Sequence, residues 1–143
     1  MKIVAKNRRA TFDYAITDKM VAGLVLVGSE VKSAKAGHVQ LKGSYVRSKI
    51  NEAVLVNSHI SHYANAGIRN QHEPERERKL LLTKKQLDEL FSAKQNGKHI
   101  IPIAMGIDHG LLKLEIGIGT SKKRYDKRET IKKREAERIA IRM

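Results

Sequence analysis

The sequence contains no cysteine and no tryptophan among its 143 residues. Without cysteine the chain forms neither disulfides nor thiolate metal sites, which suits a reducing compartment. Its longest apolar run, near Val21–Val27, is far too short to span a membrane. The amino-terminal segment turns polar after Ala5 and so lacks the apolar core of a secretory signal. These absences predict a cytoplasmic protein without membrane contact.

Aromatic residues and catalytic patterns are equally scarce. There are two phenylalanines and four tyrosines, whereas proteins that read unpaired bases usually offer rows of stacking rings. The acidic residues are scattered, which argues against a two-metal nuclease. His59 and His62 fall on opposite faces of a predicted strand, which is poor metal geometry. We therefore expect no enzyme activity, no metal and no cofactor; a nuclease or RNA-modifying enzyme is the least favoured alternative.

What the chain has in excess is positive charge. Its 29 Lys and Arg residues against 15 Asp and Glu residues give a formal net charge of +14. Residues 1–120 carry +8 of this charge, and residues 121–143 carry +6. A basic excess spread over the whole chain predicts an extended contact with a polyanion, and phosphate is the usual one. Few aromatic rings with high charge favour recognition of folded RNA by its shape and phosphates.

The first half of the chain predicts a strand, a short helix and a hairpin. Val21–Gly28 is apolar and valine-rich, as a buried strand is. Ser29 can cap a helix over Glu30–Ala36, which a glycine then ends. Tyr45–Ile50 and Ala53–Ile60 read as two strands joined by a tight turn.

The second half predicts a long connection, a helix and a second hairpin. Ala64–Arg78 has the character of a long polar connection, and Thr83–Gln86 has the spacing of a capping box at a helix start. His99–Ile107 and Leu111–Gly119 flank an Asp-His-Gly turn signal, and the second segment alternates apolar and polar residues. The order of elements is that of a mostly β fold, a small OB-type closed barrel with two helices, over residues 1–120; periodicity predicts the elements and does not by itself show that the barrel closes.

Residues 121–143 are predicted to form a basic tail. They contain no glycine or proline, and their apolar residues are few and poorly aligned. Such a segment cannot bury a core of its own, so we expect it to be disordered when free and helical against a partner. The spacing of Asp126 and Glu129 resembles a capping box, which would start that helix.

Four segments form an ordered set of motifs along the chain. They are Asn7-Arg8-Arg9-Ala10 with Asp13-Tyr14, then residues 22–33 with Ala36-Gly37, then residues 73–82, and residues 122–128. In these segments the chain resembles the small protein B family, the bacterial partners of transfer-messenger RNA. The resemblance covers essentially the whole chain; Gly43, Gly106 and Ser121 depart from the family's pattern.

The resemblance implies a function and a set of partners. It implies a non-catalytic adaptor that binds the tRNA-like domain of transfer-messenger RNA and delivers it to the A site of stalled ribosomes for trans-translation. Elongation factor Tu would be an indirect partner, through the RNA. The tail would enter the empty message channel and contact small-subunit RNA there and at the decoding centre. We expect a monomer. The alternative is a ribosomal or ribosome-associated protein with an OB body and a basic extension.

The resemblance also places candidate residues for the tRNA-like domain. Lys32 would meet a phosphate, and Glu30 would accept from a base or a 2′-hydroxyl, orient Lys32, or only charge a helix start. Arg76, Arg78 and Lys79 alternate with acids, so a salt-bridged loop is about as good an interpretation of them as RNA contact. The full set comprises Lys6, Asn7, Arg8, Arg9, Glu30, Val31, Lys32, Ser33, Arg76, Arg78 and Lys79.

A second set of candidates lies in the tail and would serve the ribosome. Tyr125 would stack on a ribosomal base or, alternatively, pack at the start of the tail helix, and Asp126 would cap that helix. The cations would follow ribosomal RNA phosphates. The full set comprises Lys122, Lys123, Arg124, Tyr125, Asp126, Lys127, Arg128, Lys132, Lys133, Arg134 and Arg138.

Overall fold

Antiparallel strands dominate the fold. A computed structural model describes residues 1–64, 66, 67, 69, 71–122, 128 and 131–135. Within the described residues the strands are β1 (Lys2–Lys6), β2 (Tyr14–Leu24), β3 (Val39–Gln40), β4 (Tyr45–Lys49), β5 (Glu52–Val56), β6 (His59–Ile60), β7 (Arg78–Leu81), β8 (His99–Asp108) and β9 (Leu111–Ser121). The helices are α1 (Arg8–Asp13), α2 (Gly28–Lys35) and α3 (Lys84–Gln95).

Seven strands form one antiparallel sheet in the order β1-β8-β9-β2-β7-β5-β4, and β3 pairs with β6 in a small second sheet. The two edges of the large sheet are β1 and β4, and β4 also packs close to β8, so the sheet rolls around its core. The predicted mostly β, barrel-like fold class is confirmed. The edge strand β4 is not hydrogen-bonded to β8, so the sheet is brought round at that point by packing between these two strands.

The core lies on the inner face of the rolled sheet. Leu112, Leu114, Ile116 and Ile118 alternate along β9 and are all buried, as their spacing predicts. The other face of β9 differs from the prediction at its far end, because Gly117 is also buried there. A Cβ on Gly117 would lie 2.7 Å from a side-chain carbon of Ile103, which belongs to a second small apolar cluster.

Local sequence signals place several elements correctly. Thr83 and Gln86 form the predicted capping box of α3, with the Thr83 hydroxyl accepting from the Gln86 N–H at 3.2 Å. His109 and Gly110 have φ angles of 51° and 77° in the turn between β8 and β9, the left-handed conformation that this turn signal predicts. The hairpin of β4 and β5 is present, with Lys49 opposite Glu52.

Other elements differ from the prediction. Strand β2 begins at Tyr14 and ends at Leu24, and α2 begins at Gly28 after Val27, not after a Ser29 cap. Strands β1, β3 and β7 and helix α1 were not predicted, so three helices are described rather than two. The predicted strand Ala53–Ile60 is divided into β5 and β6, which belong to different sheets. The predicted polar connection from residue 64 ends where β7 starts, at Arg78.

The described part of the carboxyl-terminal segment is helical. Strand β9 ends at Ser121, and Arg128 and residues 131–135 have helical backbone. The predicted cap residues Asp126 and Glu129 lie outside the described residues. Within the described chain, no helix has the length and apolar character needed to cross a membrane.

Candidate nucleic-acid interface

Helix α2, which carries the motif residues Glu30 to Ser33, is fastened to the body by a buried ion pair. The Glu30 side chain is 0% exposed, so the prediction that it lies on the surface is wrong. Its Oε2 accepts from Nε of Arg78 at 2.6 Å, and its Oε1 accepts from Nη2 of Arg76 at 2.5 Å. Oε1 also accepts from the Val27 N–H at 2.9 Å, which supports the first turn of the helix. Glu30 therefore anchors α2 instead of presenting an acceptor to RNA.

Arg78 is the other half of this anchor, and it too is 0% exposed, which corrects its prediction as an RNA contact. A guanidinium has five N–H donors. In Arg78 these donors meet Glu30 Oε2, the carbonyl and hydroxyl oxygens of Ser58, and the carbonyl oxygens of Glu73 and Pro74. A buried cation needs such complete pairing, because an unmatched charge in the interior is strongly destabilising.

The electrostatics of the pair are consistent with two charged groups. Burial alone raises the pKa of the Glu30 carboxyl. The hydrogen bonds from Arg76 and the Val27 N–H and the charge of Arg78 outweigh burial, so this pKa lies below its ordinary value. Burial lowers the pKa of Arg78, against the opposing effect of Glu30. Glu30 is therefore ionised at neutral pH, and an arginine remains charged.

A second buried contact holds the start of α2. His72 Nε2 lies 2.7 Å from the Ile60 carbonyl oxygen, and His72 Nδ1 lies 2.8 Å from the Ser29 hydroxyl. A carbonyl oxygen can only accept, so Nε2 donates to Ile60, and Nδ1 is bonded to the Ser29 hydroxyl. This contact explains why Ser29 does not cap the helix, because its hydroxyl is bonded to His72.

Of the four motif residues on α2, only Lys32 is exposed. Ser33 is 0% exposed, which corrects its prediction as an RNA contact, and Val31 is half-buried against the core. The Lys32 ammonium lies 5.6 Å from the centre of the Tyr63 ring, within cation–π range. Lys35, one turn further along, is exposed as well. The helix thus presents two cations outward and keeps its acid inside.

The amino-terminal arm, residues 6–9, presents cations on the surface. Lys6, Arg8 and Arg9 are exposed. Asn7 is half-buried and fixes the arm to the body, since its Nδ2 donates to the Pro102 carbonyl at 2.9 Å. The Val4 carbonyl of β1 lies 4.0 Å from the position that a Cβ on Gly37 would take, so the strand before the arm passes close to the end of α2.

The remaining body candidates lie where β7 joins its preceding loop. Lys79 is exposed, and it alternates with the buried Arg78 along the strand. Arg76 is 37% exposed but is already bound to Glu30 and to the Val25 carbonyl, at 3.3 Å. Its neighbour Glu77 pairs with Arg47 on the surface at 2.8 Å. Lys79 is therefore the residue of this group that is most open to a partner.

The described tail cations lie near α1. Lys122 Nζ donates to the Thr11 carbonyl at 2.7 Å, and Arg134 Nη2 donates to the Thr11 hydroxyl at 2.9 Å. Arg128, Lys132 and Lys133 are exposed. The candidates that lie outside the described residues are Lys123, Arg124, Tyr125, Asp126, Lys127 and Arg138. Across the described chain, no three potential metal-ligating side chains form a group that could hold an ion.

Sequence reasoning missed the buried anchor, although one signal was available. Arg78 and Leu80 are buried and alternate with Lys79 and Leu81, which are exposed. A two-residue period through this segment would have placed Arg78 on the inner face. Nothing comparable marks His72 or Ser58, because their partners are distant in sequence.

Fold and surface together define a small, strongly basic β protein whose exposed cations include those of an amino-terminal arm, of α2 and of β7. The model of the SmpB protein family matches residues 4–143. The chain therefore belongs to the SmpB family.

Related proteins and one solved structure agree with this assignment. The SsrA-binding protein of Lysinibacillus sphaericus is 49% identical over 138 residues, which cover 96% of this chain and 88% of the relative. That of Shouchella clausii is 47% identical with the same coverage, and that of Pelobacter propionicus is 46% identical, with 90% of the relative covered. A chain in a structure described as "tmRNA-SmpB: a journey to the center of the bacterial ribosome" matches with a TM-score of 0.68 and 36% identity. That match covers 88% of this chain and 92% of the other.

Proposed function

We propose that this protein is an adaptor that binds the tRNA-like domain of transfer-messenger RNA and delivers it to the A site of stalled ribosomes for trans-translation. The observation that carries this proposal is the outward presentation of Lys32 on a helix fixed by a buried ion pair, in a chain of the SmpB family. The relatives are named SsrA-binding proteins, and the matching structure is of tmRNA-SmpB.

The contacts with the RNA are proposed to be mainly ionic. Lys6, Arg8 and Arg9 on the arm, Lys32 on α2 and Lys79 on β7 are exposed cations on three separate segments. A folded RNA presents its phosphates over a broad surface, and several separated cations can grip it without reading a base sequence. Lys35 belongs to the same exposed face of α2 and is added to the predicted set.

Glu30, Arg78 and Ser33 are proposed to act as positioning residues. Their side chains are buried, so their effect on RNA binding passes through the placement of α2. A rigid helix keeps Lys32 in one orientation, which reduces the entropy lost when the complex forms. Arg76 is bound to the same carboxylate and is proposed to act in the same way, although its side chain is partly exposed and can also reach a partner.

The chain is proposed to divide its work between a body, residues 1–120, and a tail, residues 121–143. The body would bind transfer-messenger RNA, with elongation factor Tu as an indirect partner through the same RNA. The tail would contact small-subunit RNA at the decoding centre and in the message channel. Such an adaptor works by binding, so we propose that it is not an enzyme and that it acts as a monomer in the cytoplasm.

Binding of a transcribed tRNA-like domain over a series of salt concentrations tests the proposal. We expect log affinity to fall linearly with log salt, at about 0.9 for each phosphate neutralised if duplex RNA behaves like DNA. Lys32→Ala should weaken binding and flatten the slope by about one contact. Lys84→Ala removes an equal, exposed charge from α3 and serves as the control. Equal behaviour of the two variants would remove Lys32 from the interface.

A further inference from the structure

A pocket of about 310 Å³ lies between α1, β4 and β8, away from α2. Its lining includes Tyr14, Tyr45 and His99, together with Asn7 and Arg9. Its volume is at the lower end of the range found for small-molecule sites. The pocket is therefore large enough for one small planar group.

The rings are what set this pocket apart. The whole chain has four tyrosines, and two of them line this one pocket. The rings of Tyr14 and His99 are in contact, with their centroids 5.1 Å apart and their planes tilted by 53°. Tyr45 is 45% exposed, although it is a large aromatic residue on an edge strand. An open aromatic wall offers a surface on which a planar ligand can stack.

The charge around the pocket indicates that this ligand belongs to a polyanion. Arg9 lines the pocket, and the exposed Lys42 adjoins the lining residue Gly43 in sequence. The acid in the lining is Asp13, whose carboxylate lies 3.3 Å from Nε of Arg9. Cations beside stacking rings are the arrangement that holds a single-stranded nucleotide, with the base on the rings and the phosphate on the cations.

A larger groove on the body lacks this combination. It lies between α3 and the strands β2 and β9, and its charged lining residues are Asp18, Lys19, Lys84, Lys85, Asp88, Glu89 and Lys98. Its lining contains no aromatic ring. The groove has cations but offers no ring on which a base could stack.

We propose that the pocket formed by Tyr14, Tyr45 and His99 is a subsite for a single unstacked nucleobase of a bound RNA. It adds base stacking to the phosphate contacts of the amino-terminal arm. The pocket adjoins the end of β9, since the Ser121 hydroxyl lies 3.2 Å from Nε2 of His99. The base therefore sits where the tail leaves the body. This role presupposes that the protein binds RNA, as proposed above.

Short RNAs of equal charge isolate the stacking contribution. Two RNA pentanucleotides are compared at low salt. One has four uridines around a central adenosine, and the other has the same four uridines around an abasic central residue. We expect the adenosine strand to bind at least about fivefold more tightly, the lower end of what one stacked base contributes. The ring resonances of Tyr14, Tyr45 and His99 should shift with the adenosine strand only. Equal affinities for the two strands, with unmoved ring resonances, would overturn the proposal.

A matched pair of variants assigns the effect to the pocket. Tyr45→Leu should abolish the difference between the two strands, and its melting temperature should stay close to that of the parent because Tyr45 is half-exposed. Phe91→Leu removes a ring from α3, outside the pocket lining, and should keep the difference. If the melting temperature of Tyr45→Leu is well below that of the parent, His99→Ala replaces it in the same comparison. A difference that persists in a folded pocket variant would contradict the assignment.

Two larger RNAs identify the source of the base. The Tyr45→Leu protein is titrated with the tRNA-like domain and, separately, with small ribosomal subunits. The RNA whose binding weakens relative to Phe91→Leu supplies the base, and unchanged binding to both would overturn the proposal. The pentanucleotide assay contains neither of these larger RNAs. It therefore tests the base subsite separately from the proposed binding of transfer-messenger RNA.

Discussion

At the scale of single residues, the most consequential feature is the buried pairing of Glu30 with Arg78. Removing one member of a buried ion pair leaves an uncompensated charge in the interior. We therefore expect Glu30→Ala to lower the free energy of unfolding by about 3–5 kcal/mol in urea titrations. Glu77→Ala breaks the exposed pair with Arg47 and should cost less than about 1 kcal/mol. Similar losses in the two variants would show that the pair is not buried in solution.

The same carboxylate predicts a pH dependence. The pKa of Glu30 is lower in the folded protein than its ordinary value of 4.5, so the unfolded chain binds more protons near that pH. The stabilisation by Glu30 is thus complete above the unfolded value and is lost as the pH falls through the folded one. We expect the unfolding free energy of the parent to drop below about pH 4.5 more steeply than that of Glu30→Gln. Parallel curves for the two proteins would contradict this.

Sequence alone could predict some residue roles and not others. The exposure of Lys32 follows from its charge and its place on a short helix. The burial of Glu30 does not, because its partner Arg78 is 48 residues away and the pair forms only when the chain folds. The predicted tail contacts around Tyr125 lie outside the described residues and stay predictions.

At the scale of elements, β9 is the strand whose faces are most clearly separated. Leu114 is 0% exposed and Leu111 is 64% exposed, three residues apart on the same strand. Leu114→Asp would bury an unpaired charge, so we expect it to cost about 4 kcal/mol or more, enough to threaten folding of the body. Leu111→Asp makes the same change on the surface and should stay within about 0.5 kcal/mol. Circular dichroism during heating measures both, and equal melting would refute the face assignment.

Elements with strong local signals could be predicted, and the weakly marked ones could not. Helix α3 has a capping box, and the hairpin of β8 and β9 has both its turn and its alternation. Strands β1 and β7 have only five and four residues. Although β7 alternates, neither segment is long enough to be assigned as a strand by itself, and their order comes from partners far along the chain. Helix α1 has six residues and no side-chain cap, so tertiary contacts decide its conformation.

At the scale of the whole molecule, the apolar core and the positive charge are distributed differently along the chain. The described core clusters lie within the first 118 residues, whereas the last 23 residues carry +6 of the +14 charge. A body that holds its own core should fold without the tail. We expect residues 1–121 to unfold cooperatively, with a melting temperature within a few degrees of the full chain. A non-cooperative melt would show that the tail is part of the folded unit.

The most direct test of the proposed division of work is peptide tagging on stalled ribosomes with purified components. Protein truncated before Lys122 keeps +8, Lys32 and the buried anchor. We predict that it binds transfer-messenger RNA with modest loss but does not support tagging. Replacing Asp126, Lys127 and Arg128 together with alanine should reproduce most of that failure, because it removes a cap worth ~1 kcal/mol and two phosphate contacts. Full tagging by the truncated protein, or loss of its transfer-messenger RNA binding, would contradict the account.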